Sequence, residues 1–275
     1  MATYAESLHD SVMPPPTLWH YTTKHGLLDI IGKKSLWATK IHYLNDSSEF
    51  SYALRLAGKI LEERIAREQS NRERLEAFRS SIPNVETINV CVASFSEPSD
   101  DLSQWRAYCG AAGGHSIGFA SAYLRATACE NHFFLTKCRY IEVDQCQLIN
   151  ELIDRCLSEP EGVDAPARAW YFPARLARLA PVLKDSSFAG EQEWRLISQP
   201  KMFSEMCFRE GKSMLVPYAK FELTGDINTY IASVTVGPTP NLALSVASTE
   251  GFLLSKGLKD AKRKVLQSNI PYRSW

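Results

Sequence analysis

The chain lacks most of the features that announce a function outright. No Cys-x-x-Cys pair occurs, and the seven cysteines, at 91, 109, 129, 138, 146, 156 and 207, are an odd number without ligand spacing. Zinc is therefore excluded on motif grounds, and a disulfide framework is not expected. The thiols read as reduced, mostly buried side chains of a cytosolic protein. Neither sign of charge is in excess, since Lys+Arg and Asp+Glu each number 31. That balance argues against a chain whose main task is to coat a nucleic-acid backbone, although a local basic patch stays open. No apolar run approaches the roughly 20 residues that span a bilayer. The first sixteen residues hold Glu6, His9, Asp10 and the triplet Pro14-Pro15-Pro16. With no basic start and no continuous apolar block, they do not read as a signal peptide. A P-loop, a Gly-x-Gly-x-x-Gly opening a helix, His-Glu-x-x-His and Gly-x-Ser-x-Gly are all missing. Gly110-Ala111-Ala112-Gly113-Gly114 reads as a flexible turn rather than a phosphate loop. Repeats and low-complexity tracts are absent too.

What is present is a mixture of strands and helices without βαβ regularity. It implies one α+β domain over 17–275 behind a loose arm at 1–16. Leu18 to Tyr21 reads as a strand, Lys24 to Gly32 as a helix and Ser35 to Thr39 as a second strand. Asn45, Asp46 and the serines after them suit the cap of a long helix, with Glu49 in its first turn. That helix runs from about Ser48 to Arg79 with a break near Ser70-Asn71. Its apolar stripe is Leu54, Ala57, Leu61 and Ile65, and its mixed-sign face is solvated. Ile88 to Ser96 is the clearest strand, rich in β-branched residues. Further strands are expected at His115–Phe119, Lys137–Val143, Trp194–Ile197, Lys212–Tyr218, Ile231–Val236 and Arg263–Ile270. Helices are expected at Leu102–Tyr108, Cys146–Ser158 and Leu242–Lys256. Ala167 to Lys184 is helix-like, with interruptions at Pro173 and Pro181. Its interleaved Trp170, Tyr171, Phe172, Arg168, Arg175 and Arg178 suit a helix packing aromatics inward with arginines at the rim.

Three places carry candidate chemistry. His20, Tyr21 and Thr22 stand where a buried strand gives way to a helix, the position of a cleft mouth. Ser94 and Ser96 close a strand with both side chains on one face. Glu191 and Glu193, two residues apart, can divide labour: one stabilises a developing cation while the other orients or deprotonates an attacking group. Structural roles are open for each. His20 can bond a backbone carbonyl, the serines can satisfy backbone groups at a strand end, and the glutamates can pair with Arg195 or Lys184. Cys91 or Cys109 with His115 is a conceivable nucleophile and base, but buried thiols are the plainer reading.

The order His-Tyr-Thr, Ser-x-Ser, Glu-x-Glu resembles the three-part signature of ADP-ribosyltransferases. More broadly, the chain resembles a bacterial family, domain of unknown function 2971. The segments that carry this likeness are Trp19-His20-Tyr21-Thr22, Leu36-Trp37-Ala38, Leu44 to Glu49, Ser94 to Glu97, Leu102 to Tyr108, Gly118-Phe119, Glu191 to Arg195 and Ile270 to Arg273. The transferase resemblance implies split mixed β-sheets around a sandwich-like core flanked by helices, with NAD as substrate and no metal. It also implies roles. His20 would hold the ribose of NAD, and Ser94 and Ser96 would lie beside it. Tyr21 or Tyr43 would stack on nicotinamide, with Thr22 beside them. Glu193 would bind the ribose 2′-hydroxyl and stabilise the oxocarbenium-like state, and Glu191 would orient the acceptor. Such enzymes with Glu-x-Glu usually begin their signature with arginine, whereas histidine stands here, so a nucleic-acid and a protein acceptor both stay open. The same resemblance carries an expectation of a cytoplasmic toxin or phage-defence effector, with an inhibitory partner. The alternatives are a nucleotide-sensing or protein-interaction module of the same fold, and a nucleic-acid-processing enzyme using His20, His115 and carboxylates.

Overall fold

The computed structural model describes residues 12–44, 47–110, 113–158 and 165–271, without the side chains of 47–49 and 165–169. The arm up to Ser11, the caps at Asn45 and Asp46, and the side chains of Glu49 and Arg168 lie outside this set. In chain order come β1 (Thr17–Thr23), α1 (Lys24–Lys33), β2 (Ser35–Lys40), a 3-10 turn (Ile41–Tyr43), α2 (Ser47–Arg67), α3 (Arg72–Val85), β3 (Cys91–Ser96), α4 (Leu102–Tyr108), β4 (Gly114–Ala120), α5 (Ser121–Ala128), β5 (Phe133–Lys137), α6 (Glu142–Ser158) and α7 (Ala165–Leu179). Two 3-10 turns (Ala180–Val182, Ser186–Glu191) lead to β6 (Glu193–Ser198), β7 (Cys207–Glu210), β8 (Leu215–Glu222), α8 (Ile227–Tyr230), β9 (Ile231–Val236), α9 (Leu242–Ser255), α10 (Ala261–Lys264) and β10 (Val265–Gln267). The architecture is α+β: one large mixed sheet flanked by helices, antiparallel except where β10 joins β9.

The sheet branches at β3. Along one edge, β3 pairs with β6 from Val92 to Ser96, and β6 in turn pairs with β5. The other edge is shared. β1 meets it only where Trp19 faces Ser96, and β2 only where Thr39 and Lys40 face Val92 and Cys91. Between these two contacts the strands part, and α1, which joins β1 to β2, spans the gap. One wing continues from β1 through β4, β9 and β10, the other from β2 through β8 and β7.

Alternation along β3 then decides what faces what. Cys91, Ala93 and Phe95 enter one core with Leu18, Leu36, Trp194 and Leu196. Val92 enters a second core beneath α2, α3, α6 and α7, with Phe134, Ile149, Phe172 and Ile197. Ser94 and Ser96 are on the same strand face as Val92, beyond the reach of those helices. The face therefore passes from core to cleft within one strand. Trp19, Tyr21, Trp105 and Cys109 form a third, smaller cluster where α4 packs on β1.

Several expected boundaries move. The strand placed at Lys137–Val143 lies earlier, at Phe133–Lys137, and Glu142 already begins α6. β5 is buried on both faces, so it shows no alternation, whereas the polar–apolar alternation after it belongs to a connection and a helix start. Within the stretch at Ala167–Lys184 the helix runs straight through Pro173 to Leu179 and gives way to a 3-10 turn at Pro181. Phe172, Leu176 and Leu179 are fully buried, and that packing outweighs the one backbone hydrogen bond a proline removes. Phe172 stacks on Phe78, Arg175 and Arg178 lie over Tyr171 and Phe134, and Trp170 is exposed. The last strand is short, and Arg263 sits in α10 instead. All seven cysteines are free thiols, and Cys91, Cys109, Cys138 and Cys156 are buried. No helix among the described residues is long and apolar enough to cross a membrane.

Candidate functional site

The gap between β1 and β2 opens as a cavity of about 430 Å³, floored by Val92, Ala93 and Ser94 of β3. One wall is β1 and the first turns of α1, with His20, Tyr21, Thr22, Thr23 and Gly26. The other is β2 and the turn after it, with Ser35, Trp37, Thr39 and Tyr43. A second hollow of about 50 Å³ adjoins it, lined by Trp19, Ser96, Gln104, Glu191 and Glu193. His20, Tyr21, Ser94 and Tyr108 line both. Every residue expected in the site thus borders one of two adjoining hollows. The combined space falls in the roughly 300–1,000 Å³ range of small-molecule sites.

His20 closes the gap in the sheet. Its Nδ1 lies 2.9 Å from the Ser94 carbonyl oxygen. A carbonyl only accepts, so Nδ1 carries the proton and the other ring nitrogen, Nε2, is an acceptor. Burial lowers the His20 pKa, opposed by the Ser94 hydrogen bond, so the ring is neutral at pH 7. Ser94 Oγ has no partner among the described residues, while Ser96 Oγ donates to the Glu191 carbonyl at 2.7 Å. Tyr21 OH donates to the Pro98 carbonyl and accepts from Asp101 N, with its ring edge-on to Trp105. Its ring wall is therefore fixed rather than free to swing onto a ligand. Tyr43, at the cavity mouth, is 38% exposed and carries no such bonds among the described residues.

Glu191 and Glu193 do not share a strand. Glu191 ends a 3-10 turn, Gln192 takes a left-handed φ of 46°, and Glu193 opens β6. That turn brings both carboxylates onto one cation. Lys184 Nζ donates to Glu191 Oε2 at 2.7 Å and to Glu193 Oε2 at 2.8 Å. Arg195 clamps Glu193 side-on, Nε to Oε1 at 2.7 Å and Nη2 to Oε2 at 2.9 Å, and its Nη1 bonds the Pro181 carbonyl. Burial opposes the charge on Glu193, but Arg195 and Lys184 override it and hold its pKa down at about 2. Burial likewise opposes the charge on Lys184, and the two carboxylates raise its pKa well above the usual lysine range. Oε1 keeps one lone pair beyond the bond from Arg195.

Other candidates fall outside. His115 is buried against α9, its Nε2 3.0 Å from Thr249 Oγ1, and does not line the cleft. Cys109 Sγ donates to the Thr22 carbonyl, and burial pushes its pKa up to about 12, the opposite of an activated thiol. Among the described residues no group of three or more His, Cys, Asp or Glu side chains is placed to hold a metal ion. Residues that pattern reasoning passed over also line the site: Gln104, Trp37, Thr39 and Arg209. Gln104 was legible as part of a helix and of a family-like segment, but not as a site residue. Arg209 sits on the short strand β7, which carries too few residues to register as an element.

These features define an α+β protein with a ligand-sized cleft at a branch in its sheet, polar at one end through a neutral imidazole and an ionised carboxylate. Over residues 104–196 the chain is similar to a family described as "Protein of unknown function (DUF2971)". That span runs from Gln104 through Glu193 and Arg195. No curated protein and no solved structure matches the chain.

Proposed function

We propose that the cleft binds NAD and that the chain is an ADP-ribosyltransferase, or an NAD glycohydrolase, of the ADP-ribosyltransferase-like fold. The observation that carries this reading is that His20 and Glu193, 173 positions apart in the chain, line one small hollow. The hollow continues into a cavity large enough for most of a nucleotide. In this reading His20 Nε2 accepts a ribose hydroxyl. Glu193 Oε1 accepts the 2′-hydroxyl through its remaining lone pair. The bond from C1′ to the nicotinamide nitrogen breaks, its electron pair neutralises the pyridinium, and the fixed carboxylate stabilises the positive charge left on the sugar. An acceptor or a water then attacks C1′ and passes its proton to solvent, with Glu191, at the hollow's rim, orienting it. An effector role in toxin or phage-defence systems, with a nucleic-acid or protein acceptor, belongs to the same proposal.

A specific observation favours a second reading, a nucleotide-binding module without turnover. Lys184 and Arg195 together neutralise much of the charge that Glu193 would lend to a cationic transition state. Incubation with NAD separates the two. Free nicotinamide from the wild type and none from Glu193→Gln is the expected result. Binding of NAD without release of nicotinamide supports the module, and equal release by both proteins removes Glu193 from the mechanism.

A further inference from the structure

The charges that line the larger cavity are unequally satisfied. Arg195 is clamped to Glu193. Asp29 is paired with Lys33 at 2.9 Å. Arg209 has no carboxylate within ion-pair distance among the described residues. It reaches from β7 across β8 to β2, where Nη2 donates to Thr39 Oγ1 at a long 3.3 Å. Its Nε–H is buried and has no acceptor among the described residues. A guanidinium presents five N–H donors and no acceptor. Leaving one of its donors buried and unused costs free energy that an incoming acceptor recovers. The unused Nε together with the weakly used Nη2 is the side-on edge that takes two oxygens of one oxyanion. Thr39, which accepts from Nη2, keeps its own hydroxyl proton to donate into the same wall.

We infer that Arg209, with Thr39, forms a phosphate subsite at the end of the cavity away from Glu193. This rests on the reading that the cleft binds a dinucleotide, and it gives the ligand a direction. Arg209 lines the large cavity and not the small hollow, whereas Glu191 and Glu193 line the hollow and not the large cavity. A ligand with a cationic ring at one end and a diphosphate beyond it matches that polarity. The sugar between them would pass His20.

Titration calorimetry on the full chain tests the subsite with three probes: inorganic pyrophosphate, ADP-ribose and nicotinamide riboside, which has no phosphate. Arg209→Met is expected to weaken ADP-ribose by about tenfold to a hundredfold, the range for losing charge-assisted hydrogen bonds. It should abolish pyrophosphate binding and leave the riboside unchanged. Arg209→Lys, a point charge without the fork, should fall between. The unfolding temperature of Arg209→Met should not drop, because the variant removes an unpaired buried donor. Wild-type protein that binds neither phosphate probe overturns the subsite, as does Arg209→Met binding both normally or losing the riboside to the same degree. Failure of the NAD reading looks different: Arg209-dependent pyrophosphate binding with no nicotinamide released from NAD. Nicotinamide release by Arg209→Met at an unchanged KM overturns the subsite and leaves the NAD reading standing.

Discussion

The His20 imidazole donates from Nδ1 to the Ser94 carbonyl at 2.9 Å, so a side chain of β1 takes a bond on the edge of β3 that neither β1 nor β2 pairs at this point. The same bond fixes the tautomer that turns Nε2 into an acceptor. A residue doing both should show both losses. His20→Ala leaves the Ser94 carbonyl without its partner, and unfolding in urea should show a loss of about 1–2 kcal/mol. If the ring also holds the ribose, KM for NAD should rise more than kcat falls. A destabilised variant with unaltered KM confines His20 to the sheet.

The Lys184–Glu193–Arg195 cluster is costly to dismantle one member at a time. Lys184 has no exposed side-chain surface and bridges two carboxylates. Lys184→Met strips one counter-charge from a buried carboxylate, and the expected loss is about 3–5 kcal/mol. The double variant Lys184→Met, Glu193→Gln removes charges of opposite sign, so it should be more stable than the sum of the single losses. Chemical denaturation of the four proteins closes the cycle, and simple additivity would show that the ion pair contributes no coupling.

Acid sensitivity should come from a residue outside the cleft. Burial, reinforced by the charge of Lys24, lowers the His115 pKa to about 4. The unfolded chain, with histidine near 6.5, then binds the proton that the folded chain refuses. Stability from this group is complete above about pH 6.5 and declines as pH falls towards 4, by about 3 kcal/mol over the window. His20, also lowered, acts in the same direction. Glu193 acts in a lower window, because its depressed pKa supports the fold above the unfolded value near 4.5 and loses that support as pH falls towards 2. Unfolding free energy followed from pH 7 to 4 should slope less in His115→Gln than in wild type. Parallel slopes would assign the acid sensitivity elsewhere.

Much of the scaffold was legible because its signals are local. The run from Ile88 to Ser96 announces a strand, and Leu18 to Tyr21 followed by Lys24 to Gly32 announces a strand handing over to a helix. Where the fold depends on both faces of an element, the pattern goes quiet. β5 reads as Phe-Phe-Leu-Thr-Lys, buried on both sides, and its alternating neighbour was the more persuasive strand. At the site, His20, Ser94 and Glu193 could be named from residue type and order, and so could a backbone carbonyl for His20 and Lys184 or Arg195 for the glutamates, but not the geometry that joins them. The branch at β3 is a long-range pairing, and the grip of Lys184 on two carboxylates depends on a left-handed Gln192 that no propensity marks. Arg209 was invisible for the same reason: its meaning is the acceptor it lacks, which only the packed neighbourhood reveals.

Gly26 tests how tightly the cavity wall is built. It lies in the first turn of α1, and its backbone N–H is capped by Thr23 Oγ1 at 3.1 Å. By helix propensity alone, Gly26→Ala should stabilise the protein by about 1 kcal/mol. The packing argues the reverse. A Cβ at this position would fall 1.9 Å from Thr22 Oγ1, with Thr22 Cβ next at 3.2 Å. Either the threonine must leave its rotamer or α1 must lift from β1, and overpacking of this kind costs about 1–3 kcal/mol. The clash is the larger effect, so Gly26→Ala is expected to lower the unfolding temperature and to weaken any ligand of the cavity that both residues line. Adding Thr22→Ala removes the oxygen that is struck and should restore part of the stability, though the remaining 3.2 Å approach keeps the rescue incomplete. An unfolding temperature that rises in Gly26→Ala would mean that α1 moves freely against β1, and that the wall of the cleft is set by something other than this contact.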